Sequence, residues 1–268
     1  MWGSNELDHE IAEPYVGDAH EATAGTLYIV SAPAGAYVRW VKPTIDRAFA
    51  ATVLLLVLPI FIACAIAVRS NLGSPIFFTQ VRVGHNGKRF KVYKFRTMKQ
   101  DRRDRALLPE EELVVHDGFV GQDRRKTHKS AADPRLTGVG RFLRKWSLDE
   151  LPQLWNVVRG DMSIIGPRPL PVAYLELYSV EQRRRHEVRP GLTGLAQSNG
   201  RNSVAWDQRF AWDVAYVDHA SFLLDARIIG RSFKLVISRS GISADGHATA
   251  PEFLGSAALA STEGADRE

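Results

Sequence analysis

The stretch Ala48–Val68, AFAATVLLLVLPIFIACAIAV, runs for 21 residues without a charge. At about 1.5 Å per helical residue it matches a hydrocarbon core of roughly 30 Å, so its first reading is a membrane helix. Pro59 stands near its middle, where a missing N–H and a crowded preceding turn bend or break a helix. Both flanks are basic, with Arg39, Lys42 and Arg47 before the run and Arg69, Arg82, Lys88 and Arg89 after it. Because basic flanks tend to stay in the cytoplasm, a straight span would have to translocate one of them. A re-entrant hairpin that turns at Pro59 and leaves by the face it entered translocates neither. The plain alternative is a buried core helix, but a soluble helix seldom stays apolar all round for this length.

Working outward, the chain of 268 residues is 45% hydrophobic and 24% charged, which excludes disorder throughout. Its mean hydropathy of -0.18 leaves no room for many spans. The single cysteine, Cys64, excludes an internal disulfide and a cysteine-rich metal site, and points to a reducing compartment. The net charge of +5 hides an asymmetry. Residues 1–38 hold six acids and no Lys or Arg, and residues 244–268 hold five acids against Arg267, so the middle carries +15. Such a field favours a polyanionic partner: nucleic acid, an anionic membrane surface or a phosphate-bearing substrate. The chain start lacks the basic-then-apolar pattern of a signal peptide.

These features divide the chain into a mobile acidic tail (1–38, with a short strand at Thr26–Val30), a re-entrant membrane helix (39–72), a basic domain (73–243) and a C-terminal tail (244–268). A β-hairpin is predicted from Ile76–Val83 and Arg89–Met98, turning at His85-Asn86-Gly87, where Asn-Gly supplies positive φ angles. Residues 100–135 read as a loop or insertion. Helical spacing follows at Val139–Lys145, from Leu148, at Val180–Val188, at Ser203–Val217 and at Phe222–Ser238. Trp206, Trp212, Tyr216 and Phe233 beside Arg209, Arg227 and Arg231 suit either the membrane interface or ordinary core packing.

Two acids carry the chemical signal. Ser147-Leu148-Asp149-Glu150 fits a capping box, with Ser147 capping a helix and Glu150 reaching back to it. In the first helical turn Asp149 would keep its charge, which also suits a carboxylate nucleophile, with Glu150 available for Mg²⁺ or proton transfer. Local sequence favours the capping role. Around the pair stand Arg144, the stiff turn Gly166-Pro167-Arg168-Pro169, Arg189-Pro190-Gly191-Leu192-Thr193-Gly194, and Asn199-Gly200-Arg201-Asn202. Glycine gives backbone access and arginine a planar fork for phosphate oxygens. Together with an embedded apolar segment, this set describes phosphoryl transfer between a soluble diphosphate and a lipid phosphate.

Residues 42–255 resemble the bacterial sugar transferases, the monotopic polyprenol-phosphate phosphoglycosyl transferases, in their compact form. The matching strings are IDRAFA, IFFTQVRVG, FKVYKFRTMK, SLDELPQLWNVVRGDMSIIGPRPL, RHEVRPGLTGLAQSNGRN and SFLLDARII. The resemblance implies a fold that is α+β, predominantly helical and monotopic, with interfacial amphipathic helices and with 73–243 as a cytoplasmic catalytic domain. It implies a UDP-sugar donor, a polyprenol phosphate acceptor, membrane lipid contact, no nucleic acid, and residence at the cytoplasmic face of the bacterial inner membrane. It implies that Asp149 attacks the β-phosphate, expels UMP and holds a sugar phosphate that the lipid phosphate then takes. Asp149 and Glu150 would hold Mg²⁺, while Arg144, Arg168 and Arg201, with Lys94 and Arg96 behind them, would hold phosphate or nucleotide. With the family in view Asp149 is assigned as nucleophile. The competing readings are a protein of this fold acting in assembly without turnover, and a membrane-anchored basic protein binding nucleic acid or anionic lipid. The second explains the charge but not the paired acids, and no nucleic-acid reader motif is present. One departure from the family is Leu58 before Pro59, where a serine is common.

Overall fold

The computed structural model describes residues 35–99, 135–199, 204–238 and 253. Residues 1–34 of the acidic tail with Thr26–Val30, most of the 100–135 insertion, the tail beyond Ser238 except Phe253, and Arg201 lie outside the described residues, while the end of the expected tail, Tyr37 and Val38, is already helical. After a π-helical turn at Tyr37–Val41 come α1 (Lys42–Leu56), α2 (Leu58–Leu72), β1 (Phe77–Val83), β2 (Arg89–Phe95), α3 (Gly138–Lys145) and α4 (Gln153–Arg159). Next follow β3 (Ser163–Ile165), α5 (Val180–Arg183), β4 (Gly191–Thr193), α6 (Leu195–Asn199), α7 (Trp206–His219) and α8 (Phe222–Ser238). The described fold is α+β and mostly helical.

The apolar run breaks where Pro59 requires it. Lacking an N–H, Pro59 cannot bond the Leu55 carbonyl, and Val57 leaves helical geometry with φ -91° and ψ 6°. The helix running Tyr37–Leu56 and α2 diverge by 65°; neither is long and apolar enough alone to cross a membrane, and only the bent pair taken together has the length and composition of a span or a re-entrant loop. Each arm shows two faces. Lys42, Asp46 and Ala50, four residues apart, form the buried stripe of α1, as Cys64 and Val68 do on α2. Outside these stripes Ile45, Phe49, Leu55, Leu56, Ile60 and Ile66 stand exposed. An apolar surface of this extent marks an interaction face.

The buried stripe of α1 bonds the hairpin to the rest of the molecule. Lys42 Nζ pairs with Asp225 Oδ2 of α8 and with Asp46 Oδ2 at 3.5 Å. Asp225 also accepts hydrogen bonds from the hydroxyls of Tyr37 and Tyr216, each at 2.7 Å, and Asp46 accepts one from Ser163 of β3. Lys42, Asp46 and Asp225 are all buried, so each charge needs these partners.

β1 and β2 pair antiparallel from Phe77↔Phe95 to Val83↔Arg89, and Asn86 and Gly87 take the expected positive φ angles, 53° and 72°. The strands are shorter than predicted, because after Phe95 the chain turns off to cap α2. Asn156, fully buried on α4, donates to Lys91 O and accepts from Tyr93 N, clamping α4 to β2. β3 and β4 pair in parallel, Ser163↔Gly191 and Ile165↔Thr193, so the Gly166–Pro169 and Arg189–Gly194 motifs are neighbours.

Two helices differ from expectation. Val180–Val188 splits into α5 and a 3₁₀ turn at Arg184–His186. The helix expected from Leu148 is a 3₁₀ turn, Leu148–Glu150, with α4 starting only after Pro152. Of the two readings left open for the aromatic helices, core packing holds for α7, whose Phe210 and Tyr216 are each 1% exposed. In contrast, α8 buries Leu224 and Ile228 and exposes Phe222, Leu223, Ile229 and Phe233. Such an amphipathic division is that of a helix with one face on the core and the other at the surface.

Candidate active site

The acid pair sits at the junction of α3 and α4. Gly140 lets α3 lie directly on the chain after β2: a Cβ there would stand 2.0 Å from Thr97 O. Thr137 caps the helix by accepting from Gly140 N at 3.0 Å. One turn on, on the same face, Arg144 Nε donates to Thr97 Oγ1 at 3.0 Å. The helix ends at Trp146, and Ser147 then takes the left-handed region with φ 55°.

This conformation corrects the capping-box expectation. The Ser147 side chain makes no cap hydrogen bond, and the turn closes instead through Glu150 N donating to Ser147 O at 3.2 Å. A non-glycine residue held at positive φ costs on the order of 1–2 kcal/mol. Such strain gathers at functional sites, and here it redirects the chain so that Asp149 and Glu150 stand on a tight turn rather than inside a helix.

Glu150 is occupied elsewhere. Its Oε1 accepts from Lys94 Nζ at 2.6 Å and from Arg168 Nη2 at 3.1 Å. Lys94 comes from β2 and Arg168 from the Gly166–Pro169 turn, whose base is fixed by Gly166 N to Thr193 O and Gly191 N to Pro167 O, both 2.9 Å. Burial opposes the Glu150 charge, but Arg168 and Lys94 overrule it and hold the carboxyl down to about 2. Asp149 behaves oppositely. Burial pushes its carboxyl above the ordinary aspartate value and Glu150 adds to the rise, while Lys94 and Arg144 counter it. Among the described residues no other side chain hydrogen-bonds to Asp149. Two adjacent carboxylates thus have different duties: one neutralised and pinned, the other desolvated and open beside three cations.

The structure brings Asp149, Glu150, Lys94, Arg168 and Arg144 together. Arg96 is a correction. Its guanidinium donates to the carbonyls of Leu72, Gly73 and Ser74, satisfying the unpaired end of α2, and it is 7% exposed. Arg189 likewise turns away, donating to Gly160 O at 3.1 Å and lining a small cavity with Lys42, Asp46 and Tyr216. Sequence reading missed Arg185, which is buried and donates to Arg168 O. It stands in the run Arg183-Arg184-Arg185-His186, which reads as a solvated charged face.

A model of the bacterial sugar transferase family matches residues 37–239. The chain belongs to this family. This sugar transferase is 46% identical over 214 residues to the uncharacterized sugar transferase EpsL of Bacillus subtilis, covering 79% of the present chain and 95% of the relative. It is 42% identical over 200 residues to the exopolysaccharide production protein ExoY of Sinorhizobium fredii, covering 75% and 87%. The undecaprenyl-phosphate galactose phosphotransferase of Salmonella typhimurium is 39% identical over 203 residues, which is 76% of this sugar transferase but 42% of that longer protein. The molecule is a transferase, and the strings that match run through the acid pair and both sheets.

Because the Arg168 side chain is half exposed, Arg168→Ala should leave the melting temperature within a degree or two while lowering kcat/KM for the sugar donor roughly 10- to 100-fold, the scale of a lost charged donor. Unchanged kinetics in that variant would make the turn purely structural.

Proposed function

We propose that this sugar transferase moves a sugar 1-phosphate from a UDP-sugar to polyprenol phosphate at the cytoplasmic face of the bacterial inner membrane, as the first membrane step of a polysaccharide. One observation carries the proposal: of two adjacent acids, Glu150 takes the cations Lys94 and Arg168, leaving Asp149 partly desolvated and free to attack. A carboxylate stripped of water is a better nucleophile, and fixed cations beside it stabilise the charge that builds on a transferring phosphoryl group. The names of relatives point the same way, since one acts as an undecaprenyl-phosphate galactose phosphotransferase.

In the proposed sequence an Asp149 oxygen attacks the β-phosphorus of the donor. The P–O bond to the α-phosphate breaks, UMP leaves, and the sugar phosphate remains as an acyl phosphate on Asp149. A phosphate oxygen of the polyprenol phosphate then attacks the same phosphorus, releasing Asp149 as carboxylate and giving polyprenyl diphosphosugar. Arg144 and Arg168 hold phosphate oxygens, and Lys94 keeps Glu150 from competing with Asp149.

The donor set fits Mg²⁺, which needs only one or two carboxylates when substrate phosphates and waters complete its shell. Among the described residues no cluster of three or more His, Cys, Asp or Glu forms. Asp149 and the Glu150 oxygen that Lys94 and Arg168 leave open would hold the ion, and it would supply charge neutralisation for the diphosphate and the departing UMP.

The membrane part of the proposal is supported by the 65° bend, the basic flanks and the exposed apolar faces of α1, α2 and α8. With single cysteines on a Cys64→Ala background, a membrane-impermeant thiol reagent added outside intact cells should fail to label residue 71, and should label it in inverted vesicles. External labelling would mean a true span. A screen of UDP-sugars with undecaprenyl phosphate and Mg²⁺ should find UMP release with at least one donor; silence across the panel would contradict the proposal.

A further inference from the structure

Arg185 and Asp213 form the most deeply buried ion pair described in the molecule, with side chains 2% and 5% exposed. Arg185 donates from Nε and Nη2 to Asp213 Oδ2, at 3.1 and 2.6 Å, and from Nη1 to the Tyr178 hydroxyl at 3.0 Å. Its guanidinium lies 5.5 Å from the Phe210 ring centre and 5.6 Å from that of Tyr178. Stability alone does not account for such a pair, because well-packed apolar residues of the same volume often serve a core as well or better. What apolar residues cannot do is donate to a backbone carbonyl. The Nη2 of Arg185 also bonds Arg168 O at 2.8 Å.

That bond lands on the turn that presents Arg168 to Glu150. Pro167 and Pro169 flank Arg168, and neither has an N–H with which to anchor the turn. Arg168 O is therefore a handle on the turn itself, held by a guanidinium that Asp213 orients and that packs beside the edge-to-face pair Tyr178 and Phe210. The path runs from Asp213 on α7, through Arg185 after α5, through the Arg168 backbone and out along its side chain to Glu150 at 3.1 Å. Neither Arg185 nor Asp213 hydrogen-bonds to Asp149 or Glu150, so their influence passes through the turn.

We propose that Arg185, locked by Asp213, is a positioning residue that sets the Arg168 guanidinium for the donor's phosphates. The inference rests on Arg168 acting in that site. It assigns the run Arg183–His186 a split role: one arginine builds the site from inside, while Arg184 pairs with Glu181 and Asp218 at the surface.

The test is a double-mutant cycle in steady-state UMP release, with thermal melting as the folding control. Arg185→Lys keeps the charge against Asp213 but loses the fork that reaches Asp213 and the Arg168 carbonyl at once. It should lower kcat/KM for the UDP-sugar about 10- to 100-fold, the scale of an ångström-level misplacement. Combined with Arg168→Ala, it should add little beyond Arg168→Ala alone, since both remove the same placed cation. Should Arg185→Lys fail to fold, Asp213→Asn, which retains shape and an acceptor oxygen, takes its place with the same expectation. Wild-type kinetics in a folded variant, or losses that simply multiply in the double variant, would overturn the proposal. A loss in Arg185→Lys with none in Arg168→Ala would overturn it as well, while normal UMP release by the unsubstituted enzyme keeps the transferase reading intact in each case.

Discussion

Asp149→Asn should abolish UMP release, by on the order of 10³-fold or more, without unfolding the protein. The magnitude follows from removing a nucleophile rather than a binding contact. The amide has nearly the same shape but no charge with which to attack phosphorus. Folding survives because burial already disfavours the Asp149 charge, so a neutral side chain relieves rather than adds strain. Glu150→Gln makes an instructive contrast. It frees Lys94 and Arg168 from their shared acceptor and should slow the reaction less, because the attacking oxygen remains. An Asp149→Asn enzyme with wild-type turnover would remove the nucleophile assignment.

The second large effect concerns anchorage. Asp225→Ala should destabilise the protein by about 3–5 kcal/mol, the usual cost of leaving a buried charge without its partner. Three donors lose one acceptor residue: Lys42 and Tyr37 at the root of the helical hairpin, and Tyr216 of α7. Asp46, at 3.5 Å, is left to hold Lys42 but is itself taken by Ser163. Denaturant melts in detergent micelles read the loss as a lowered midpoint. A change below about 1 kcal/mol would show the network to be solvated and dispensable.

Much of the architecture was readable because it follows from local physics. The proline in the apolar run produced the bend, Asn-Gly made the turn of β1 and β2, and the spacing of Phe222–Ser238 gave α8 at its observed limits. The capping box shows where local reading stops. Ser179 and Gln182 form one, each side chain bonding the other's backbone N–H. Ser147 and Glu150 have the same spacing and do not, because Glu150 finds two cations delivered from β2 and from the Gly166–Pro169 turn. Charge-assisted bonds to distant residues outweigh a single local cap. Pro152 was the better local marker, since the helix starts directly after it.

That Glu150 and Arg168 meet was foreshadowed only by type, a carboxylate and an arginine on separate turns; the parallel pairing of β3 and β4 beneath the Gly166–Pro169 turn is a long-range feature with no local signal. The pattern puts Arg96 on a strand running to Met98, but the strand ends three residues earlier, at Phe95, and the side chain bonds the end of α2. Arg185 was invisible for another reason: its partner Asp213 lies 28 residues away, and nothing in a run of arginines says which one is buried.

The central claim is that Asp149 becomes esterified to a sugar phosphate. Intact-protein mass spectrometry of enzyme mixed with its UDP-sugar in the absence of lipid acceptor, quenched rapidly in acid, should show a mass increase of one sugar phosphate. The adduct should map to the peptide containing Asp149 and vanish on addition of polyprenol phosphate. Full product formation from an enzyme that never carries this mass, or that carries it on a different residue, would contradict the account.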